Sequence, residues 1–323
     1  MTADSVHEQL LKYLADVHSI ERQALAQMRA APRLTGEGEL SRAFADHLAE
    51  TEEHERLVAQ RLQALGGHPQ LAKDLAGAAS GKAFVLFARS QPDTPGKLVA
   101  HAYSYEHMEQ AAYELLRFAA ERAGDEQTVE LAAQIGGQEE AMGARLETLF
   151  DLAVEESLAG GRDPRERLPS YLADAHAIER QASLLLKRSR SIAGPAALAQ
   201  AYDEHLTETE QHERMVAARL RALDSSPSWL KDAALGLGAL NWDLFFRLQP
   251  DTPAKLAGFA YAFEHLEIAS YELLRRVAVR AGEPDTDSLA ARILEQERHA
   301  AESIRALFGE AMGSSLAALG AQG

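Results

Sequence analysis

The sequence predicts an all-α protein built as two tandem four-helix bundles. Three observations predict this class: the source of its apolar content, a long internal repeat, and signals that start and stop helices. Apolar residues make up 46% of the 323 residues, whereas aromatic residues make up only 6%. Ala and Leu therefore supply most of the apolar content, which favours helix. A chain of this length can bury two cores of ordinary size.

The chain contains two tandem copies of one unit, which align without insertion or deletion. YLADVHSIERQA at 13–24 returns as YLADAHAIERQA at 171–182, and HLAETEEHER at 47–56 returns as HLTETEQHER at 205–214. Roughly 65 of the 140 positions from 11 to 150 are identical to their partners. A period this long indicates two domains in tandem rather than a solenoid. The turn-rich stretch GGRDP places the boundary so that the domains span 1–160 and 161–323.

Turn and cap residues predict four helices in the first copy. Pro32 is expected to end the first helix, Thr94 and Pro95 to begin the third, and Gly124 to end it. Residues 68–93 form a long connection, in which we expect a short helix. A connection of this length lets helix three run parallel to helix two, and short loops make the other neighbours antiparallel. The predicted helices lie near 5–31, 37–66, 94–124 and 126–158.

Apolar residues three or four positions apart form a stripe along one face of every predicted helix, here called the apolar seam. Near the middle of each helix a carboxylate takes the place of an apolar residue in this seam. Such residues face a bundle core, where an unpaired carboxylate is costly. Four helices that present carboxylates at one level would form an acidic cage, and one or two cations per copy would neutralise it. The polar seam residues are Glu21, Glu50, His54, Glu106, Glu109 and Glu139 in the first copy, and Glu179, Glu208, His212, Glu264, Glu267 and Glu297 in the second.

This order of Glu, Glu with His one turn on, Glu-His-x-Glu, and Glu resembles the ferritin-like superfamily. The strings HLAETEEHER and EHMEQAAYELL look most similar to the YciE/YciF-like bacterial stress proteins, and the resemblance covers nearly all of both copies. It implies ferritin-like bundles in which the twelve seam residues bind iron or manganese, with up to two ions per domain. It also implies that the two domains pair with each other within the chain.

The sequence departs from the superfamily pattern on helices two and four. The common signature is Glu-x-x-His, whereas Glu50 and His54 are four residues apart, and three residues after Glu139 comes Met142. The ligand choice on these two helices therefore stays open. For three further histidine pairs a structural role is the preferred interpretation, with a ligand role as the alternative: His18/His176, His47/His205 and His107/His265.

Composition excludes several other classes of protein. The chain has no Cys, which excludes disulfides, thiolate zinc sites and iron–sulfur clusters. A net charge of −16 repels phosphate, so we expect no nucleic-acid partner. We find no apolar run long enough to span a membrane and no signal-peptide pattern, so we expect a cytoplasmic protein without a membrane partner.

Three functions of different kinds fit these observations. The first is a redox metalloprotein that reacts with oxygen or peroxide, as a ferroxidase, a peroxidase or a catalase-like enzyme. The second is a metal-binding stress protein without turnover. The third is a metal-free structural or interaction bundle, in which salt bridges replace the ligands.

Overall fold

The computed structural model describes residues 3–35, 37–69, 94–159, 161–226 and 252–320. Within these ranges the regular secondary structure is helical, with ten α-helices, which confirms the all-α prediction. The chain divides into two compact units, Met1–Ser157 (unit 1) and Leu158–Gly323 (unit 2). None of the described helices is long and apolar enough to cross a membrane.

In the part of the chain that the structure describes, each unit has four long helices followed by a shorter one. Those of unit 1 are α1 Ala3–Met28, α2 Glu39–Ala64, α3 Thr94–Ala123, α4 Glu126–Thr148 and α5 Phe150–Leu158. Those of unit 2 are α6 Pro164–Ser189, α7 Ala196–Ala222, α8 Thr252–Ala281, α9 Pro284–Ala306 and α10 Phe308–Gly320.

The ends of two helices differ from the prediction. α1 stops at Met28, and Pro32 lies in the 3-10 turn that follows. The predicted fourth helix is two helices, because the N–H of Leu149 bonds to the carbonyl of Leu146 and tightens the chain at this point. The short helix expected between α2 and α3 falls on residues 70–93, which lie outside the described ranges.

Contacts between helix ends establish the bundle topology. His7, near the start of α1, contacts the carbonyl of Leu65 after α2 at 3.2 Å, so α1 and α2 are antiparallel. Arg61, near the end of α2, bonds to Asp125 just beyond the end of α3 at 2.6 Å. α2 and α3 therefore finish at the same end of the bundle and run parallel, as the predicted long crossover requires. Arg219 makes the equivalent contact with Glu283 in unit 2.

Apolar side chains fill most of the interior of unit 1. Leu14, Phe44, Leu116 and Leu146, one from each long helix, are fully buried. Burying a side chain of this kind contributes about 1.5–3 kcal/mol. The middle of each helix departs from this pattern, because polar residues there are as buried as their apolar neighbours. The apolar layers thus hold a polar layer in place between them.

We expect Arg61 to stabilise unit 1 through its contacts at the end of the bundle. Its guanidinium also donates to Thr128 at 2.9 Å and to Gln127 at 2.6 Å, joining α2 to the start of α4. Arg61→Ala should lower the free energy of unfolding by about 1–3 kcal/mol, measured by urea denaturation of the full chain. The control Arg56→Ala removes an exposed ion pair with Glu53 and should leave the free energy of unfolding close to that of the unaltered chain. Equal losses in the two variants would contradict this role.

Candidate metal centre

Six polar side chains from the four long helices of unit 1 meet in the interior. α2 contributes two histidines seven residues apart, which places them on one face of the helix. α3 contributes two glutamates one turn apart, and α1 and α4 contribute one glutamate each. The exposed fraction of each residue is at most 1%. The six residues are Glu21, His47, His54, Glu106, Glu109 and Glu139.

These side chains form two overlapping groups that could each hold a metal ion. Within a group, the candidate ligand atoms all lie within 4.8 Å of one another. Glu139 belongs to both groups: its Oε1 lies 2.7 Å from Nδ1 of His54, and its Oε2 lies 3.9 Å from Nε2 of His47. One carboxylate thus offers an oxygen to each group. The first group is His47, Glu106, Glu109 and Glu139, and the second is Glu21, His54 and Glu139.

Unit 2 repeats this arrangement with equivalent residues. Nε2 of His205 lies 2.8 Å from Oε2 of Glu264, and Nδ1 of His212 lies 2.8 Å from Oε1 of Glu297. Here too a single carboxylate is shared between two buried groups. They are His205, Glu264, Glu267 and Glu297, and Glu179, His212 and Glu297.

Burial and mutual repulsion shift the pKa values of these carboxyl groups upward. Burial raises the pKa of Glu106 to about 7, and it does the same for Glu179 in unit 2. Burial, followed by the nearby Glu139, raises the pKa of Glu109 well above its ordinary range. Burial alone would lower the pKa of His47, but the facing carboxylate of Glu106 raises it well above its usual value. The carboxylates therefore compete for protons when no other cation is present.

The donor atoms of the cluster fit a metal ion. Both carboxylate oxygens of Glu109 are buried and accept no hydrogen bond from the residues that the structure describes, and the same is true of Glu267. Such oxygens are costly unless a cation balances them. Carboxylate oxygens combined with imidazole nitrogens are a donor set suited to first-row divalent metals. The residues present thus supply what a buried cation needs.

The structure brings together ten of the twelve predicted site residues. It does not bring Glu50 and Glu208 into the groups: their side chains are 49% and 39% exposed. Successive residues of an α-helix are rotated by about 100° about its axis. Glu50, three residues after His47, therefore lies about 60° to one side of the face that carries His47. Thr51 occupies the inner face instead and is 1% exposed. Glu50 contacts the cluster from outside, as a hydrogen-bond partner of His47.

The sequence analysis preferred a structural role for His47 and His205, whereas the structure places both residues in the candidate metal-binding groups. Their spacing of seven residues from His54 and His212 was the signal, because it repeats the phase of the buried seam. The other two histidine pairs considered in the sequence analysis, His18/His176 and His107/His265, lie outside the groups. His18 contacts Glu55 at 3.3 Å, and Nδ1 of His107 contacts the carbonyl of Tyr103 at 2.7 Å.

A four-helix bundle with a long crossover between its second and third helices, and with a buried cluster of carboxylates and histidines, defines the ferritin-like class of protein. Comparison with known families agrees with this class. The chain belongs to the family described as domain of unknown function DUF892, whose model matches residues 5–159 and again residues 163–317. This family is in the ferritin-like superfamily. No solved structure matches the chain.

The pKa shifts predict how the stability of the metal-free protein depends on pH. A carboxyl group whose pKa is higher in the folded than in the unfolded chain adds stability at low pH and loses it as pH rises through the folded value. With Glu106 and Glu179 shifted to about 7, these two groups together should lower the free energy of unfolding by roughly 2–3 kcal/mol per pH unit between about pH 5 and pH 7. Urea denaturation in the presence of a chelator measures this dependence.

Two variants separate this effect from the general acidity of the chain. Glu106→Gln with Glu179→Gln should make the dependence less steep, because neither amide titrates, whereas Glu109 and Glu267 keep their raised pKa values. Glu140→Gln removes a charge from an exposed position next to Glu139 and should leave the slope unchanged. A chelated protein whose stability rises with pH over this range would refute the expectation.

Proposed function

We propose that each unit holds a dinuclear iron or manganese centre, and that the protein handles iron, oxygen or peroxide under stress as an oxidoreductase of the ferroxidase, peroxidase or catalase-like kind. The observation that carries this proposal is the pair of overlapping buried groups with one shared carboxylate, present in both units. The resemblance to the YciE/YciF-like proteins and the pairing of the two units belong to the same proposal.

The charge of each cluster supports two ions rather than one. Four glutamates carry up to four negative charges, and two divalent cations balance them. A single divalent cation would leave a double negative charge in a water-excluded interior, where charge is costly. The position of Glu139, with one oxygen towards each histidine, supports the same stoichiometry.

The chain's own residues would hold the ions, orient their ligands and keep water away. A bound iron or manganese pair supplies electron exchange with oxygen or peroxide. The hydroxyl of Tyr113 donates to Oε1 of Glu21 and fixes the orientation of this carboxylate, and Tyr271 does the same for Glu179. Since the chain has no Cys, no thiol relay can deliver electrons from within it. Ferrous iron as the reductant, and hence ferroxidase chemistry, therefore suits this chain best.

The burial of the clusters favours a second candidate function, in which the protein holds ions without turnover. Every candidate ligand is at most 3% exposed, which suits retention better than rapid exchange. A metal-free structural bundle is the third candidate. The buried carboxylate oxygens of Glu109 and Glu267, which accept no hydrogen bond from the described residues, argue against it. Metal content separates this third candidate from the other two.

Elemental analysis of the full chain, grown with iron and manganese and then desalted, tests the proposal. We expect about four ions per chain, two for each bundle. Glu139→Gln with Glu297→Gln should abolish most of this content, because each substitution removes a ligand from both groups of its unit. The matched control Glu140→Gln with Glu295→Gln changes the same charge at exposed positions and should retain the metal. A folded protein that takes up no metal on titration would overturn the proposal.

Turnover distinguishes an enzyme from a protein that only holds metal. Excess ferrous iron is added with oxygen or with peroxide, and the loss of oxidant is followed against the formation of ferric iron. We expect many equivalents of ferrous iron to be oxidised per site, with a rate that depends on Glu139 and Glu297. Oxidation that stops once the sites are filled would favour the holding function.

A further inference from the structure

The two cluster histidines of each unit face the carboxylates with different ring nitrogens. His47 presents Nε2, which lies 3.2 Å from Oε2 of Glu106. His54 presents Nδ1, which lies 2.7 Å from Oε1 of Glu139. Unit 2 shows the same difference, with Nε2 of His205 near Glu264 and Nδ1 of His212 near Glu297. The two groups of a unit are therefore built differently around their histidines.

The nitrogen that points away from the cluster has its own hydrogen-bond acceptor in each case. Nδ1 of His47 donates to Oε2 of Glu50 at 3.3 Å, from one turn further along α2. Nε2 of His54 donates to Oε1 of Gln138 at 3.2 Å, which is on α4. The equivalent distances in unit 2 are 3.4 Å from His205 to Glu208 and 3.1 Å from His212 to Gln296.

An acceptor at the outer nitrogen decides which nitrogen can bind a cation. A neutral imidazole carries one N–H and one lone pair, so an outer acceptor holds the proton and leaves the inner nitrogen free. The acceptor on His47 is a charged carboxylate, whereas the acceptor on His54 is the neutral side-chain amide oxygen of Gln138. The outer acceptors thus differ in charge as well as in position.

We propose that Glu50 and Gln138, with Glu208 and Gln296 in unit 2, are positioning residues that each fix one histidine and thereby support one of the two ion positions. Glu50 acts on the group that contains His47, and Gln138 acts on the group that contains His54. This inference rests on the dinuclear centre proposed above. It assigns Glu50 a role from outside the cluster, in place of the ligand role expected from its spacing.

Stepwise binding of manganese(II) to the full chain tests this assignment. Competition with a chelator gives the affinities of the two ion positions. Glu50→Ala with Glu208→Ala should weaken one position roughly 10–100-fold and leave the other within a few fold, and Gln138→Ala with Gln296→Ala should weaken the other position. Glu50→Gln with Glu208→Gln keeps an acceptor oxygen and should restore most of the lost affinity. The control Glu53→Ala removes an exposed charge from the same helix and should bind as the unaltered chain does.

Nitrogen NMR of the zinc-loaded chain provides a readout that does not depend on affinity or activity. The expected spectrum has His47 bound through Nε2 with a proton on Nδ1, and His54 bound through Nδ1 with a proton on Nε2. Glu50→Ala with Glu208→Ala should alter the signals of His47 and His205 and spare those of His54 and His212.

The outcomes separate the positioning role from the proposed function. Should the unaltered chain bind neither metal, the dinuclear centre and the positioning role fall together. Binding by the unaltered chain, with Glu50→Ala indistinguishable from Glu53→Ala, overturns the positioning role alone. A Glu50→Gln chain as weak as Glu50→Ala, with unchanged histidine signals in both, would identify Glu50 as a direct ligand and also overturn it.

Discussion

Four carboxylates buried in one layer of a helical bundle are the constraint on which the rest of each unit depends. Water is excluded from this layer, so the negative charge must be balanced by protons or by cations. The pKa of Glu109 rises because burial and Glu139 both disfavour its charged form. The same repulsion would favour a bound cation, which brings positive charge into the layer. The instability of the metal-free layer and its suitability for metal thus have one physical cause.

The bundle topology brings the six side chains to one level. Because α2 and α3 run parallel, His47 in the first half of α2 lies opposite Glu106 in the first half of α3. Apolar residues on either side of the layer, such as Phe44 and Leu116, fix the spacing between the helices. The polar layer opposes folding when metal is absent, so the apolar layers must supply a surplus of stability. Binding of the proposed metal ions would return part of that cost as folding free energy.

Much of the fold and most of the site can be derived from the sequence, for physical reasons. Helix limits follow from Pro, Gly and cap residues, and a carboxylate on an apolar seam stands out because burial makes it costly. That His47 rather than Glu50 belongs to the site could not be derived from the sequence. The two residues lie only about 60° apart on α2, and residue spacing does not resolve such an angle. The helix break at Leu149 could not be derived either, because neither Pro nor Gly marks it.

The comparison of the two copies shows which of these features packing alone does not explain. His101 and Tyr105 of α3 are replaced in α8 by Phe259 and Phe263, yet the ring centroids are 6.1 Å apart in one pair and 6.3 Å in the other. The bundle therefore accepts a change of chemistry one residue before Glu106, although the hydroxyl of Tyr105 donates to the carbonyl of Ile20 at 3.0 Å and Phe263 has no hydroxyl. Across the four long helices all six cluster residues are identical in both copies, as are their outer partners at 50 and 138. A purely structural layer would gain stability from apolar substitution, so its retention as a complete set agrees with the proposed role in binding cations.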